Sequence, residues 1–313
     1  MTLPVIEFDG AVKVYGEKRI GPVHFSVERG EIFGFLGPNG SGKTTCIRML
    51  LGLARPSEGK VRLRGMDPLS DHIGALTGVG YSPELPNIQA FMTPREVLAL
   101  AAREMGLSSG VRAEIDRVLE DVGIIEYGDS RVSRLSKGMV QRLSVAQALI
   151  GSPQTLVLDE PMIGLDPAGT AHLRETFLTY ARGGGTILMS SHMMSEVEGM
   201  CSSVGLIHGG RMLFRGTPRE MVGEMLDSGE VRVEAKGMSA PIVESIRKLE
   251  GVLAVEEVPG GLTVRVTRGA EARPEISRIV IQGGAELLTI REGDRMLEKA
   301  YIEALKDGTN KAQ

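Results

Sequence analysis

Val23, Phe25 and Val27 alternate with His24, Ser26 and Glu28, the period-2 mark of a half-exposed strand. An unbroken apolar run, Ile32 to Leu36, then predicts a short buried strand. It passes directly into the glycine-rich segment Gly37-Pro38-Asn39-Gly40-Ser41-Gly42-Lys43-Thr44-Thr45, and then into Ile47, Leu50 and Leu51 at helical spacing. The local order is strand, loop, helix. From about Leu85 to Ile150 the pattern turns helical. Thr93-Pro94-Arg95-Glu96 reads as a capping box with proline at the first helical position. Ile115, Val118, Leu119 and Val122 share a helix face up to the stop at Gly123, and a third helix opens near Ser136 and ends at Gly151.

Strands return at Thr155 to Leu158 and at Thr186 to Met189, continuous apolar or β-branched runs of the kind covered on both faces in parallel sheets. A helix-length segment, about Ala168 to Arg182, joins them, and Gly183-Gly184-Gly185 reads as the turn back into the strand. A hairpin is expected at 204–207 and 211–214 across His208-Gly209-Gly210. Residues 223–229 are polar and glycine-punctuated, and read as a linker. Beyond them come a strand (231–235), a helix (241–249), two strands (252–258 and 262–267), a helix (274–282) and a strand (286–290). That β-α-β-β-α-β order predicts a ferredoxin-like α+β domain. A last helix, Asp294 to Lys306, carries Met296, Leu297, Ala300, Tyr301, Ala304 and Leu305 on one side. The expected organisation is an α/β domain over 1–222 with a helical subdomain at about 85–150, the linker at 223–229, and the accessory domain over 230–313.

The length of 313 residues fits two domains. With 36 Lys+Arg against 40 Asp+Glu the formal charge is -4, without the basic excess of a dedicated nucleic-acid binder, and no nucleic-acid partner is expected. The longest stretch free of Asp, Glu, Lys and Arg, Leu143 to Leu158, is interrupted by Gly151-Ser152-Pro153 and falls short of the ~20 apolar residues of a membrane span. The start, Met1-Thr2-Leu3-Pro4, lacks the basic flank and apolar core of a secretory signal. Cys46 and Cys201 are far apart, without metal-ligand spacing, and are expected as buried fillers in a reducing compartment.

Gly37 to Thr44 matches G-x-x-x-x-G-K-[ST]. Glycines there let backbone N–H groups curl round phosphate oxygens while the following helix turns its positive end to the same anion. Lys43 is expected on the β- and γ-phosphates and the Thr44 hydroxyl on Mg²⁺. Leu156-Val157-Leu158-Asp159-Glu160 delivers two carboxylates at a strand's carboxyl end, where open α/β sheets bind ligands. Alone, such a pair is usually a solvated strand end. Beside a phosphate loop, Asp159 is expected to hold Mg²⁺ and Glu160 to polarise the water attacking the γ-phosphate, strand alternation pointing the two in different directions.

Leu135-Ser136-Lys137-Gly138-Met139, followed by Gln141-Arg142-Leu143, resembles the signature sequence of ATP-binding cassette (ABC) ATPases. The resemblance covers about Val5 to Val222 and implies a P-loop nucleotide-binding domain with a helical subdomain, taking ATP and Mg²⁺. It further implies roles residue by residue. Tyr15 corresponds to the aromatic that stacks on adenine. Glu84, in Gly80-Tyr81-Ser82-Pro83-Glu84, stands where the family has glutamine and brings an extra negative charge near the triphosphate and Mg²⁺. Ser136 and Gly138 form a second anion-binding helix end, Asp166 in Gly164-Leu165-Asp166-Pro167 acts across a dimer interface, and His192 senses the γ-phosphate. Taken singly, Ser136 is equally a helix N-cap, Asp166 a turn residue and His192 a structural strand-end histidine; Met193-Met194 read as packing.

The signature variant, the single cassette and the trailing domain are most similar to ATP-binding subunits of ABC-2 type transporters such as the daunorubicin-exporter group. That resemblance implies an ATP hydrolase that pairs head to tail with a second ATPase subunit, a homodimer being favoured over a heterodimer. It also implies a separate membrane permease that holds the chain at the cytoplasmic face. Leu85, Ile88, Phe91 and Met92 are the expected permease-facing segment. The alternatives are an ABC protein acting on nucleic acid or the ribosome, which usually carries two cassettes or long coiled-coil insertions, and a small-molecule kinase, which leaves the signature unexplained.

Overall fold

The computed structural model describes residues 3–226, 228–267, 270–293 and 296–310. It divides into two compact units, Met1–Gly216 and Thr217–Gln313.

The first unit opens with the antiparallel strands β1 (Ile6–Tyr15) and β2 (Lys18–Val27). Next come β3 (Ile32–Leu36), α1 (Lys43–Leu50), β4 (Glu58–Leu63), α2 (His72–Leu76) and β5 (Val79–Ser82). Three helices follow: α3 (Pro94–Glu104), α4 (Val111–Asp121) and α5 (Lys137–Leu149). Between β5 and β6 the described residues hold helices only. The chain then returns to β6 (Thr155–Asp159), α6 (Pro167–Arg182), β7 (Thr186–Ser191), α7 (Met194–Val197) and the hairpin β8 (Ser203–His208) to β9 (Arg211–Gly216).

Six strands lie in the order β5-β6-β7-β3-β8-β9, with β5 to β8 parallel and β9 antiparallel at the edge. β3, β6 and β7 are buried at every position, as the unbroken apolar runs require of a sheet covered on both faces. A second sheet, β2-β1-β4, packs against it through one shared core. Stacked phenylalanines cross that junction: Phe8 on Phe25 at 4.6 Å between ring centroids, and Phe25 on Phe33 at 4.9 Å. Of this outer sheet, the alternation at Val23 to Val27 predicts only β2.

The boundary between the units differs from the sequence expectation. Thr217-Pro218-Arg219-Glu220 closes a second capping box, Thr217 Oγ1 accepting from the Glu220 N–H and Glu220 Oε2 accepting from the Thr217 N–H. It opens α8 (Pro218–Met225), and β10 (Ser228–Lys236) starts soon after, so helix and strand occupy most of 223–229 where a linker is expected; Asp227 lies outside the described residues. The second unit continues with α9 (Ala240–Arg247), β11 (Val252–Val258), β12 (Gly261–Thr267), α10 (Arg273–Gln282), β13 (Glu286–Glu292) and α11 (Met296–Asn310). Its sheet runs β11-β12-β10-β13, antiparallel at each pairing, over a core that includes Val231, Val233, Ile246, Val264 and Ile276. The expected first residue of the last helix, Asp294, lies outside the described residues.

One close approach sets the edge of the large sheet. A Cβ at Gly80 in β5 would collide with the Ala148 carbonyl of α5, because helix and strand meet backbone to backbone there. Gly80→Ala is therefore expected to cost about 1–3 kcal/mol, as overpacking does. The urea midpoint of the full chain reads it, and a midpoint equal to wild type would contradict the contact.

Candidate functional site

Because β6, β7 and β3 are adjacent and parallel, the loops leaving their carboxyl ends emerge at one edge of the sheet. Asp159 pairs in register with Ser190, and Leu36 with Ser191. This topology brings the phosphate loop, the Asp159-Glu160 pair and His192 together from separate parts of the chain.

α1 begins at Gly42, in a left-handed conformation at φ +119° and with no side-chain cap on its first N–H groups. By contrast, α3, α5 and α6 are capped by Thr93, Ser136 and Asp166. A Cβ at Gly42 would lie 2.8 Å from Ile20 Cγ2, so the loop needs glycine there. Lys43, 5% exposed, folds its ammonium back into the loop and donates to the Gly37 carbonyl at 2.6 Å. Ser41 Oγ is buried and has no hydrogen-bond partner among the described residues. Lys18, from β2, donates to the Gly40 carbonyl at 2.9 Å on the loop's outer side.

Lys43 Nζ also stands 3.1 Å from Glu160 Oε1, an ion pair whose side chains are 6% and 5% exposed. The other oxygen, Glu160 Oε2, is 2.8 Å from His192 Nδ1. Lysine, glutamate and histidine thus form one continuous chain, buried at Lys43 and Glu160 and 34% exposed at His192. The strand ends at Asp159, and Glu160 adopts φ +50°, so the strand alternation expected to separate the two carboxylates does not extend to Glu160. A left-handed turn aims it instead, a conformation that costs a non-glycine residue ~1–3 kcal/mol and persists where neighbours hold it. Those neighbours are Ser190 Oγ, which accepts from the Glu160 N–H at 2.9 Å and donates to Asp159 Oδ1 at 2.5 Å, and Gln141 Nε2, 3.5 Å from the Glu160 carbonyl. Motif reading does not single out Ser190, and it quotes Gln141 only as following the signature run, without a role. The polar end of an otherwise apolar strand, Ser190-Ser191, is the signal that could have pointed to the first.

The remaining residues fall into two groups. Tyr15 ends β1, 46% exposed, with the Lys13 ammonium 5.0 Å from its ring centroid. Glu84 follows β5, half-buried, beside the strand that carries Asp159. Away from the phosphate loop, Ser136 is exposed and caps α5, accepting from the Met139 N–H at 3.2 Å. Asp166, also exposed, caps α6 through the Gly169 N–H at 3.0 Å. Gly138 packs on the Gly164-Leu165 backbone, so these two segments touch each other. Among the described residues no hydrogen bond or ion pair joins Ser136, Gly138 or Asp166 to the loop. Met193, expected in packing, is 47% exposed, whereas Met194 is buried.

A family model described as ABC transporter matches residues 20–163. The bacitracin transport ATP-binding protein BcrA of Bacillus licheniformis is 31% identical over 97% of this chain and 98% of its own length. The chain belongs to the ATP-binding subunits of ABC transporters. The Nod factor export ATP-binding protein I of Rhizobium etli is 36% identical over 72% of this chain and 72% of that protein. A solved ATP-binding subunit of an ABC transporter superposes with a TM-score of 0.64 at 30% identity, covering 70% of this chain and 92% of that one. This ABC subunit has the family's P-loop α/β fold and is an ATP-binding, ATP-hydrolysing transporter component with a partnering membrane permease. Among the described residues no helix is long and apolar enough to cross a membrane.

Both thiols are buried, as expected of fillers. Cys46 in α1 lies under the phosphate loop, and burial pushes its thiol up to about 12; burial, opposed by Arg174 and aided by Glu196, takes Cys201 to about 12 as well. At pH 8 such thiols are ionised on the order of one part in ten thousand, and the thiolate is the reactive form. Folded protein at pH 8 should therefore leave both unlabelled by an aromatic disulfide reagent, with rapid labelling after unfolding. Ordinary labelling of the folded chain would contradict this burial.

Proposed function

We propose that Glu160 polarises the water that attacks the γ-phosphate of ATP, with His192 orienting Glu160 and the terminal phosphate, and Lys43 receiving the β- and γ-phosphates. The observation carrying this reading is the buried Lys43–Glu160 pair, continued by the half-buried His192, at the edge where three parallel strands end. Phosphate oxygens that reach Lys43 Nζ displace Glu160 Oε1 from it, and the carboxylate so released is free to accept a proton from water. The uncapped first turn of α1 and the unpartnered Ser41 hydroxyl are donors suited to phosphate, supporting Gly37 to Thr45 as its cradle. The exposed Tyr15 ring is the platform for adenine.

The donor set also fits magnesium. Among the described residues no cluster of three or more His, Cys, Asp or Glu could cage a metal. Mg²⁺ instead takes one or two carboxylates, a hydroxyl and substrate phosphates. Asp159 and Thr44 would be those donors, with Glu84 following β5 at the carboxyl end of the same sheet. Held by these donors, magnesium would supply positive charge to offset that of the transferring phosphate.

Ser136, Gly138 and Asp166 serve the ATP site of a second copy. The exposure of Ser136 and Asp166 supports this, as does the lack, among the described residues, of a hydrogen bond or ion pair from any of the three to their own phosphate loop. Two chains then meet head to tail, as a homodimer. A cleft of about 500 Å³ between β5, α3 and α5, lined by Tyr81, Pro83, Ile88, Met105 and Gln147, is the docking place for the permease. Leu85 and Phe91, 74% and 69% exposed, stand on the same segment. The export and bacitracin-transport functions in the relatives' names support an ABC-2 type exporter held at the cytoplasmic face of the membrane. The strand order β11-β12-β10-β13 supports a ferredoxin-like reading of the second unit.

Two variants test this. Glu160→Gln should retain ATP binding, lower kcat at least about a hundredfold, the usual weight of a general base, and accumulate an ATP-bound dimer in sedimentation. Normal turnover would remove Glu160 from this role. Ser136→Arg should depress hydrolysis while the monomer's ATP affinity stays within about twofold, since a hydrogen-bonding helix end in trans acts only after pairing. An unchanged rate would contradict the shared site.

A further inference from the structure

One buried carboxyl near the site takes no part in the chemistry above. Glu196 lies in α7, 8% exposed, and its Oε2 accepts the Ser191 hydroxyl hydrogen at 2.5 Å. The hydroxyl has a single hydrogen, so with that bond made its oxygen is left to accept, and the Met193 N–H supplies the donor at 2.9 Å. Glu196 therefore fastens a side-chain turn spanning Ser191 and Met193, the two neighbours of His192. The carbonyl of the same Ser191 accepts from the Gly37 N–H at 3.2 Å, tying the turn to the start of the phosphate loop. Val197, next to Glu196, packs on β3 at Gly34, so α7 rests on the strand that feeds the loop.

We propose that Glu196 is a positioning residue for hydrolysis: by holding the Ser191 hydroxyl it fixes the backbone on both sides of His192, and with it the 2.8 Å contact between His192 Nδ1 and Glu160 Oε2. The inference rests on the role given above to His192. Burial raises the Glu196 carboxyl above its ordinary range, the Ser191 bond opposes this, and Glu160 raises it further while His192 lowers it. The Ser191 hydroxyl is thus the contact that rewards placing a carboxyl there. Without that carboxyl the Ser191 hydroxyl hydrogen has only the Met193 carbonyl, 3.2 Å away, as its acceptor, the 191–193 turn loses its side-chain tie to α7, and His192 is free to leave Glu160. A misplacement on the order of 1 Å at such a site costs up to ~100-fold in rate.

The test uses the full chain with MgATP, measuring kcat, KM and thermal midpoint for wild type, Glu196→Ala, Glu196→Gln, Ser191→Ala, the Ser191→Ala/Glu196→Ala double variant, and His192→Ala. Glu196→Ala should lower kcat at least about tenfold with KM within about twofold. Glu196→Gln, which keeps an acceptor oxygen, should recover to within about threefold of wild type. Ser191→Ala, which removes the Met193 N–H bond as well, should lose at least as much as Glu196→Ala, and the double variant should be no worse than Ser191→Ala, since both act through the Ser191 hydroxyl. Should Glu196→Ala fail to fold, Ser191→Ala and Glu196→Gln carry the same comparison. A wild-type kcat in Glu196→Ala, a loss seen in KM alone, additive losses in the double variant, or no recovery with glutamine would each overturn the proposal. His192→Ala separates the two readings: a wild-type rate there removes the role given to His192, whereas a depressed rate beside a normal Glu196→Ala removes only this one.

Discussion

The arrangement turns on one contact, the buried pairing of Lys43 with Glu160. Two opposite charges taken out of water are tolerated only when each keeps good partners, and removing either leaves the other stranded. Here the ammonium also has the Gly37 carbonyl, and the carboxylate also has His192. No local segment can build such a set. Lys43, Glu160 and His192 come from three distant parts of the chain, and the adjacency of β6, β7 and β3 is what puts them at one place.

The backbone around the pair is fixed by groups with no chemistry of their own. Ser190 binds both the Asp159 carboxylate and the Glu160 N–H, so one hydroxyl sets the two acidic residues relative to each other. The left-handed conformation of Glu160 depends on that restraint. Ser191 does the corresponding work one residue later, linking the end of β7 to the phosphate loop. The middle strand of the trio therefore braces both of its neighbours.

The parts of this site legible from sequence are those where chemistry restricts the residue type locally. A glycine loop with Gly42 and Lys43, two carboxylates ending an apolar run and a serine opening a helix can each be read from a few consecutive residues. Ser190 shows only as a polar end to an apolar strand, while Gln141 acts on Glu160, 19 residues on, and Glu196 on Ser191, five residues back, through side-chain contacts that no run of consecutive residues displays. The outer sheet was only partly readable. Ile6 and Phe8 alternate with Glu7 and Asp9 clearly enough, but β1 has register shifts between Phe8 and Lys13 that blur the period. The start of the second unit was readable in principle, since Thr217-Pro218-Arg219-Glu220 repeats the four residues at Thr93 to Glu96; the glycines that follow made the stretch look like a linker.

The phenylalanine stack has a consequence for the spacing within the site. β1 carries Phe8 and ends at Tyr15, while β3 carries Phe33 and ends at the phosphate loop, and the rings of Phe8, Phe25 and Phe33 lock those strands through a solid aromatic column. With dense packing in between, neither end can drift alone. The base platform and the phosphate cradle proposed at Tyr15 and at Gly37 to Thr45 would then stand at a set separation, like the jaws of a locked calliper.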